Sequence, residues 1–369
     1  MPLSQFDPAN YDALLAAKVA RTCERLAPFV AQPPMVAPSA PEAFRMRAEF
    51  RIWHDGDALN YVMFPPGEPH NPVAISEFPI ACAAIQALMP ELIASLRSQP
   101  ELRRKLFQIE FLSTTRGETL VTLAYHRRLD AAWESAAAAL AAKYQVALVG
   151  RSRKQKVVIG HDYVTEQLRI AGCDYQYRQY EQAFTQPNAD VNRAMIEWAC
   201  TAATAQGGDL LELYCGNGNF TLPLSRHFNQ VLATELAKVS IRAAQWALDA
   251  NGIHNVAMVR LAAEEVTQAM NGERLFRRLA GLPQPLENYQ LDTVFVDPPR
   301  AGLDAATVSM VQRFPTIIYV SCNPGTLAEN LAVLAATHSV AQFALFDQFP
   351  YTDHMECGVV LRQRAAHRT

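Results

Sequence analysis

Leu210-Leu211-Glu212-Leu213-Tyr214-Cys215-Gly216-Asn217-Gly218-Asn219-Phe220-Thr221 is the stretch on which the fold turns. An apolar strand ends near Tyr214, two glycines let the backbone turn sharply and lie close to a ligand, and a helix opens behind them. That is the first strand-to-helix turn of an open, doubly wound α/β sheet. The same rhythm runs through residues 181–369, with strands expected at 209–214, 230–234, 256–260, 291–296, 316–320, 343–346 and 357–361, seven in all. Segment 271–290 reads as an insertion loop ahead of the fourth of these.

Residues 1–180 have a different texture. A helix is expected at 11–26, followed by a Pro-rich connector at 27–41. Residues 44–53 alternate apolar with charged side chains and Asp55-Gly56-Asp57 supplies a turn before 60–64, so a hairpin is expected. Further strands at 106–112 and 119–125 and helices at 75–88 and 130–144 complete an α+β domain with an antiparallel sheet.

A chain of 369 residues exceeds one ordinary core, so two domains are the default. With 50% hydrophobic and 19% charged residues it has the composition of a folded globular protein, which argues against disorder. No window offers the roughly 18 apolar residues of a membrane span. The start, Met1-Pro2-Leu3-Ser4-Gln5-Phe6-Asp7, has no basic stretch leading into an apolar one, so a cytoplasmic protein without membrane association is expected. Cys23, Cys82, Cys173, Cys200, Cys215, Cys322 and Cys357 are scattered and form no Cys-x-x-Cys pair, which argues against a disulfide framework, a metal site or an iron–sulfur cluster. The net charge is −3, yet residues 101–156 hold 11 Lys and Arg against 5 Asp and Glu, a balance of +6 that leaves −9 for the rest. A basic segment on an acidic protein suits localised phosphate binding, the plain alternative being a solvated surface.

Three loops at the expected carboxyl ends of strands carry the candidate chemistry. Thr221 stands where a dinucleotide fingerprint has its third glycine, which weakens a nicotinamide reading. Glu235 closes the next strand, where a carboxylate can accept both hydroxyls of a ribose; a helix cap is its alternative. S-adenosylmethionine fits both facts, having a ribose to clamp and no phosphate to cradle. Asp297 follows an apolar strand and precedes Pro298 and Pro299, which fix the backbone that aims it; an ordinary turn aspartate is the alternative. Cys322 stands just ahead of a helix expected from about Thr326, a place that lends a thiol thiolate character; a buried structural cysteine is the alternative. A thiolate added to C6 of uracil makes C5 nucleophilic, and the later loss of the C5 proton calls for a base. Glu356, in Asp353-His354-Met355-Glu356-Cys357, is the candidate, with an ordinary surface residue as its alternative.

Phe184-Thr185-Gln186-Pro187-Asn188, Leu213 to Phe220, Asp297-Pro298-Pro299-Arg300, Ser321-Cys322-Asn323-Pro324 and His354-Met355-Glu356 resemble, in order and spacing, the motifs of the RNA uridine-5-methyltransferase family, on its tRNA-modifying branch. Residues 44–53 and 106–112 look similar as well, so the resemblance covers nearly the full chain. It implies a class I methyltransferase domain of Rossmann-like fold at 181–369 and an RNA-recognition domain at 1–180. It implies methyl transfer from S-adenosylmethionine to C5 of the T-loop uridine of tRNA, with Cys322 as nucleophile, Glu356 as proton acceptor, and Gln186, Tyr214, Asn219, Glu235 and Asp297 against the methyl donor. Asp297 and Gln186 are also placed to touch the uracil edge.

The four-cysteine cluster set and the separate N-terminal barrel of some ribosomal RNA enzymes are missing. The T arm of tRNA is therefore the expected partner, with RNAs of T-loop-like fold such as tmRNA as further substrates and no metal, iron–sulfur cluster or obligate protein partner. Arg51, Phe107, His126 and Arg127 are the expected RNA contacts, a ring filling the space an extruded base leaves; core packing is the alternative for Phe107. Three rivals remain: the same chemistry on ribosomal RNA, an RNA-binding protein or chaperone, and a nicotinamide-dependent oxidoreductase. Cys322 and Glu356 speak against the second, because binding needs neither.

Overall fold

A computed structural model describes residues 6–365 apart from 57, 66, 69, 205 and 206; residues 1–5 and Asp57 of the expected hairpin turn lie outside the described residues. The chain forms two compact units, one from Met1–Ala9, Ala40–Gln167 and Arg178–Ala189, the other from Asn10–Ser39, Leu168–Tyr177 and Asp190–Thr369. A single cut at residue 180 does not describe them. Helix α1 (Tyr11–Leu26) and strand β1 (Met35–Ala37) come first in sequence but belong to the second unit, for a reason that its sheet supplies below.

The first unit is built on β2 (Arg47–Asp55), β3 (Ala58–Met63), β4 (Val73–Ile75), β5 (Leu106–Ser113), β6 (Thr119–Tyr125), β7 (Ala147–Ser152) and β8 (Gln155–Ile159), with helices α2 (Ala83–Ser98), α3 (Pro100–Arg103) and α4 (Ala131–Tyr144). The strand order is β4-β3-β2-β5-β6-β7-β8. The sheet is not wholly antiparallel as expected: β6 and β7 pair in parallel, because α4 carries the chain back across the sheet between them. Ala48, Phe50 and Ile52 alternate inward along β2, and Phe50 meets Phe78 at 5.0 Å and Tyr61 at 5.2 Å between ring centroids. The helix expected at 75–88 begins only at Ala83. Residues 73–75 pair with β3, and Pro79 bars a helix through the intervening turn. A hairpin of β9 (Tyr163–Ile170) and β10 (Cys173–Tyr180) follows.

The second unit continues with α5 (Ala189–Ala203), β11 (Asp209–Leu213), α6 (Thr221–Leu224), β12 (Val231–Thr234), α7 (Lys238–Ala250), β13 (Val256–Val259), α8 (Ala263–Met270), β14 (Leu291–Val296), α9 (Ala305–Val311), β15 (Thr316–Ser321), α10 (Pro324–Leu334), β16 (His338–Phe346) and β17 (Glu356–Gln363). All seven expected strands are present, and β1 from the Pro-rich connector makes an eighth, in the order β1-β16-β17-β15-β14-β11-β12-β13. β1 pairs in parallel with β16 and α1 packs on α10, which is why both sit in this unit. Every residue of β11 and of β15 is buried, as expected of strands covered by helices on both faces.

Candidate active site

Within the second unit β17, β15, β14, β11 and β12 lie side by side, and of these only β17 runs against the others. Its first residue therefore shares an edge with the last residues of the other four. Ser321 pairs with Cys357, so one further step brings Cys322 and Glu356 to the same place. Cys322 is half-buried between β15 and α10. Asn323 fixes that loop: its Oδ1 accepts from the Gly325 N–H at 3.0 Å and its Nδ2 donates to the Arg300 carbonyl at 3.0 Å, which also accepts from Thr326 Oγ1 at 3.3 Å. The loops bearing Asp297 and Cys322 are thereby stitched into one piece.

Three carboxyl groups crowd this edge. Glu356 is buried, its Oε2 has no hydrogen-bond partner, and burial followed by the charge of Asp297 pushes it well above the usual carboxylate range. Burial pushes Asp297 up to about 7. Glu212, fully buried one residue before the end of β11 with neither carboxyl oxygen within hydrogen-bonding distance of a partner, is pushed up to about 8 by burial, with Thr221 pulling it down and Asp297 adding to the rise. Sequence reasoning assigned Glu212 no role, although an acid inside an otherwise apolar strand was a usable signal. Groups so placed cannot all ionise together, and a bound cation would relieve their repulsion.

The thiolate character expected of Cys322 is not what the site confers. Burial, then Glu356, then Asp297 push its thiol up to about 11, with Arg300 pulling the other way. The helix end has little to set against this, because Pro324 carries no N–H and that of Gly325 is taken by Asn323.

Around the Gly-rich turn the backbone holds φ +57° at Gly216 and +86° at Gly218, and Tyr214 also sits at +60°, a strain that clusters at ligand sites. A Cβ on Gly218 would lie 2.7 Å from Leu222 Cδ1. Glu235 Oε2 accepts from the Gly216 N–H at 3.1 Å, while its Oε1 accepts from Leu236 and Ala237 at 2.7 Å, so it latches the glycine turn to the two residues that lead into α7. Asn219 exchanges two hydrogen bonds with Asn192, at 2.9 and 2.8 Å. Gln186 belongs to the other unit, and its Oε1 is buried without a partner. Orphaned carboxyl oxygens, a glycine turn and an acid closing the next strand fit a ligand that carries a ribose and a positive charge.

In the first unit Phe107 stacks on His126 at 3.9 Å and 11°, with the Arg51 guanidinium 5.5 Å from the Phe107 centroid. Phe107 and His126 line a cleft of about 690 Å³ to which Arg128, Arg151 and Arg153 contribute. Phe107 is thus a half-exposed platform rather than core. Arg127 lines the same cleft, but its guanidinium donates to the carbonyls of Glu101, Arg104 and Arg128, so it braces the wall.

Among the described residues no His, Cys, Asp or Glu group could hold a metal ion, and no helix is long and apolar enough to cross a membrane. Residues 10–364 match the model of the family described as tRNA (uracil-5-)-methyltransferase. The chain is 52% identical over 368 residues to a tRNA/tmRNA (uracil-C(5))-methyltransferase of Aromatoleum aromaticum, covering 100% of both chains. It is 55% identical over 359 residues to the protein of that name in Pseudomonas entomophila, covering 97% of this chain and 99% of the relative. Its fold is similar to that of the Pyrococcus abyssi tRNA (uracil-54, C5)-methyltransferase in complex with S-adenosyl-L-homocysteine, with a TM-score of 0.71 at 20% identity over 95% of this chain and 83% of the other.

Proposed function

Because the chain belongs to the tRNA (uracil-5-)-methyltransferase family, we propose that it transfers a methyl group from S-adenosylmethionine to C5 of the T-loop uridine of tRNA, and of tmRNA, in the cytoplasm. The observation that carries this reading is the meeting of Cys322, Glu356 and Asp297 at one edge of the sheet. S-adenosylmethionine supplies the methyl group on a sulfonium whose positive charge suits the crowded carboxyls. Glu235, Tyr214, Asn219 and Asp297 are the residues of the second unit that would hold it.

Cys322 Sγ bonds to C6 of the uracil as its proton passes to a carboxylate of the basin, and the ring electrons shift towards C5, which takes the methyl group. Glu356 then removes the C5 proton; burial has raised its proton affinity, which makes its ionised form a stronger base. The C5=C6 bond reforms as Sγ leaves. In the first unit Phe107 and His126 offer a stacked platform for bases of the RNA, and the Arg51 guanidinium stands against the Phe107 ring.

The test is the nucleoside profile of tRNA after incubation with the protein and labelled donor, beside ribosomal RNA fragments. A single 5-methyluridine in the T loop is expected, together with a covalent complex on 5-fluorouridine tRNA, and Cys322→Ala should lose both. Methylation by Cys322→Ala would remove the nucleophile; methylation of ribosomal RNA alone would remove the substrate.

A further inference from the structure

Cys322 stands on the wall of a second cleft, of about 670 Å³, lying within the second unit and lined also by Arg21, Arg25, Arg300 and His354. We infer, on the footing of the uridine methylation proposed above, that this cleft carries the sugar–phosphate backbone next to the target uridine, with Arg25, Arg21 and Arg300 holding its phosphates.

The argument starts on α1. Lys18, Arg21 and Arg25 recur at helical spacing and so share one face. Lys18 turns inward: it is buried against Asp347 and donates to the carbonyls of Phe349 at 3.1 Å and His354 at 2.9 Å, which pins α1 to the loop ahead of β17 and neutralises its charge. Among the described residues Arg21 pairs with one acid, the exposed Asp353 at 3.0 Å, and an ion pair open to water holds loosely. Arg25 has no acidic partner among the described residues, and its Nη1 lies 3.4 Å from where a Cβ on Gly325 would be, against the first turn of α10. On the opposite loop Arg300 Nη2 is 3.2 Å from His354 Nδ1. Burial, then Arg300, then Lys18 lower the pKa of His354, so the ring accepts from Arg300 rather than competing as a cation.

Three guanidinium groups with one exposed acid between them thus border the nucleophile of a chain whose net charge is −3. Uracil is neutral and gives no cause for them, and a sulfonium would be repelled. The ring carbon that Sγ attacks is bonded to the nitrogen bearing the ribose, so the phosphates of that nucleotide follow it to within a few bonds of Cys322. Planar guanidinium forks match phosphate oxygens in pairs. The N-terminal helix would then be part of the substrate site and not only a clamp on the sheet.

The full chain carrying Arg25→Gln, Arg21→Gln or Arg25→Lys is titrated with T-arm RNA between about 50 and 200 mM salt, with donor affinity and melting temperature measured alongside. Each Gln variant should raise Kd about 5–10-fold at fixed salt. Each should also flatten the slope of log K against log salt by about 0.7, one single-strand phosphate contact. Arg25→Lys should keep the slope, and donor affinity should not move. Wild-type Kd and slope in both Gln variants would overturn the assignment. If Arg25→Gln melts early, Arg21→Gln decides, since its side chain is 58% exposed and outside the packing. TRNA methylation by the wild type is scored separately: its absence removes the proposed function, whereas its presence with indifferent arginine variants removes only the backbone track.

Discussion

Glu212→Gln should change stability with a sign that depends on pH. In the folded chain the Glu212 carboxyl keeps its proton up to about pH 8, against an ordinary value of 4.5. The folded state therefore holds a proton that the unfolded chain has released, and stability must fall as pH rises between those two values. At 1.36 kcal/mol per pH unit the burden is about 1.4 kcal/mol at pH 5.5, about 3.4 at pH 7 and close to 5 above pH 8. Glutamine escapes all of it. Its amide, buried where the carboxyl has no partner, brings an offset of about 1–3 kcal/mol that does not vary with pH.

The variant should accordingly match or fall below the wild type at pH 5.5 and exceed it by about 2–3 kcal/mol at pH 8.5. Repulsion from Asp297, which itself releases its proton near 7, steepens the upper half of the trend. Urea unfolding followed by tryptophan fluorescence at pH 5.5, 7 and 8.5 measures the difference directly. A stability difference that stays flat across this range would refute the reasoning, because only a titrating Glu212 makes it slope. The same variant should bind S-adenosylmethionine more weakly, since the negative charge removed is the one a cation would use; gain of stability with loss of affinity is the expected pairing.

Glu356→Gln should permit addition and methyl transfer but stall elimination, leaving protein and methylated RNA joined on a denaturing gel; normal turnover without a trapped complex would exclude Glu356 as the base. Phe107→Ala and His126→Ala should each raise KM for tRNA about 10-fold, at about 1–3 kcal/mol per stacked base, with the melting temperature unchanged; unaltered KM and turnover in both would return Phe107 and His126 to simple packing. Gly358→Ala would place a Cβ 2.7 Å from the Trp198 ring in the second unit, and overpacking of this kind should cost about 1–3 kcal/mol in urea unfolding; an unchanged midpoint would mean that Trp198 can give way.

How far the sequence could be read depended on the range of each signal. The seven strands of the second unit and the loops at 216–218, 297–300 and 321–324 were legible because a buried strand and its Gly- or Pro-bearing turn are written in consecutive residues. The eighth strand was not: Met35–Ala37 is extended only because it finds β16 some 300 residues later, and three residues in a Pro-rich run carry no period. The parallel pairing of β6 with β7 was hidden because the strand at 147–152 went unread, so α4 did not look like a crossover. Glu212 stood in the quoted strand, but its role comes from having no partner, which only packing reveals.

The sign of the Cys322 shift turns on the same distinction. A helix start is a local feature, and its benefit to a nearby anion is at most about 2 kcal/mol, about one and a half pKa units. What opposes it is assembled from afar: Glu356 arrives on a reversed strand and Asp297 on a neighbouring loop, and both add to burial in pushing the thiol up to about 11. The nucleophile is thus held as a thiol, the form that resists stray oxidation, by burial and by the carboxyls beside it. Those charges also define what would release it. A cation lodged among Glu212, Asp297 and Glu356 lets the carboxylates ionise and accept a proton, and a phosphate drawn to Arg300 brings the uracil to the sulfur as that proton leaves. Readiness for attack then depends on both reactants being in place, so the chain need not maintain a reactive thiolate between turnovers.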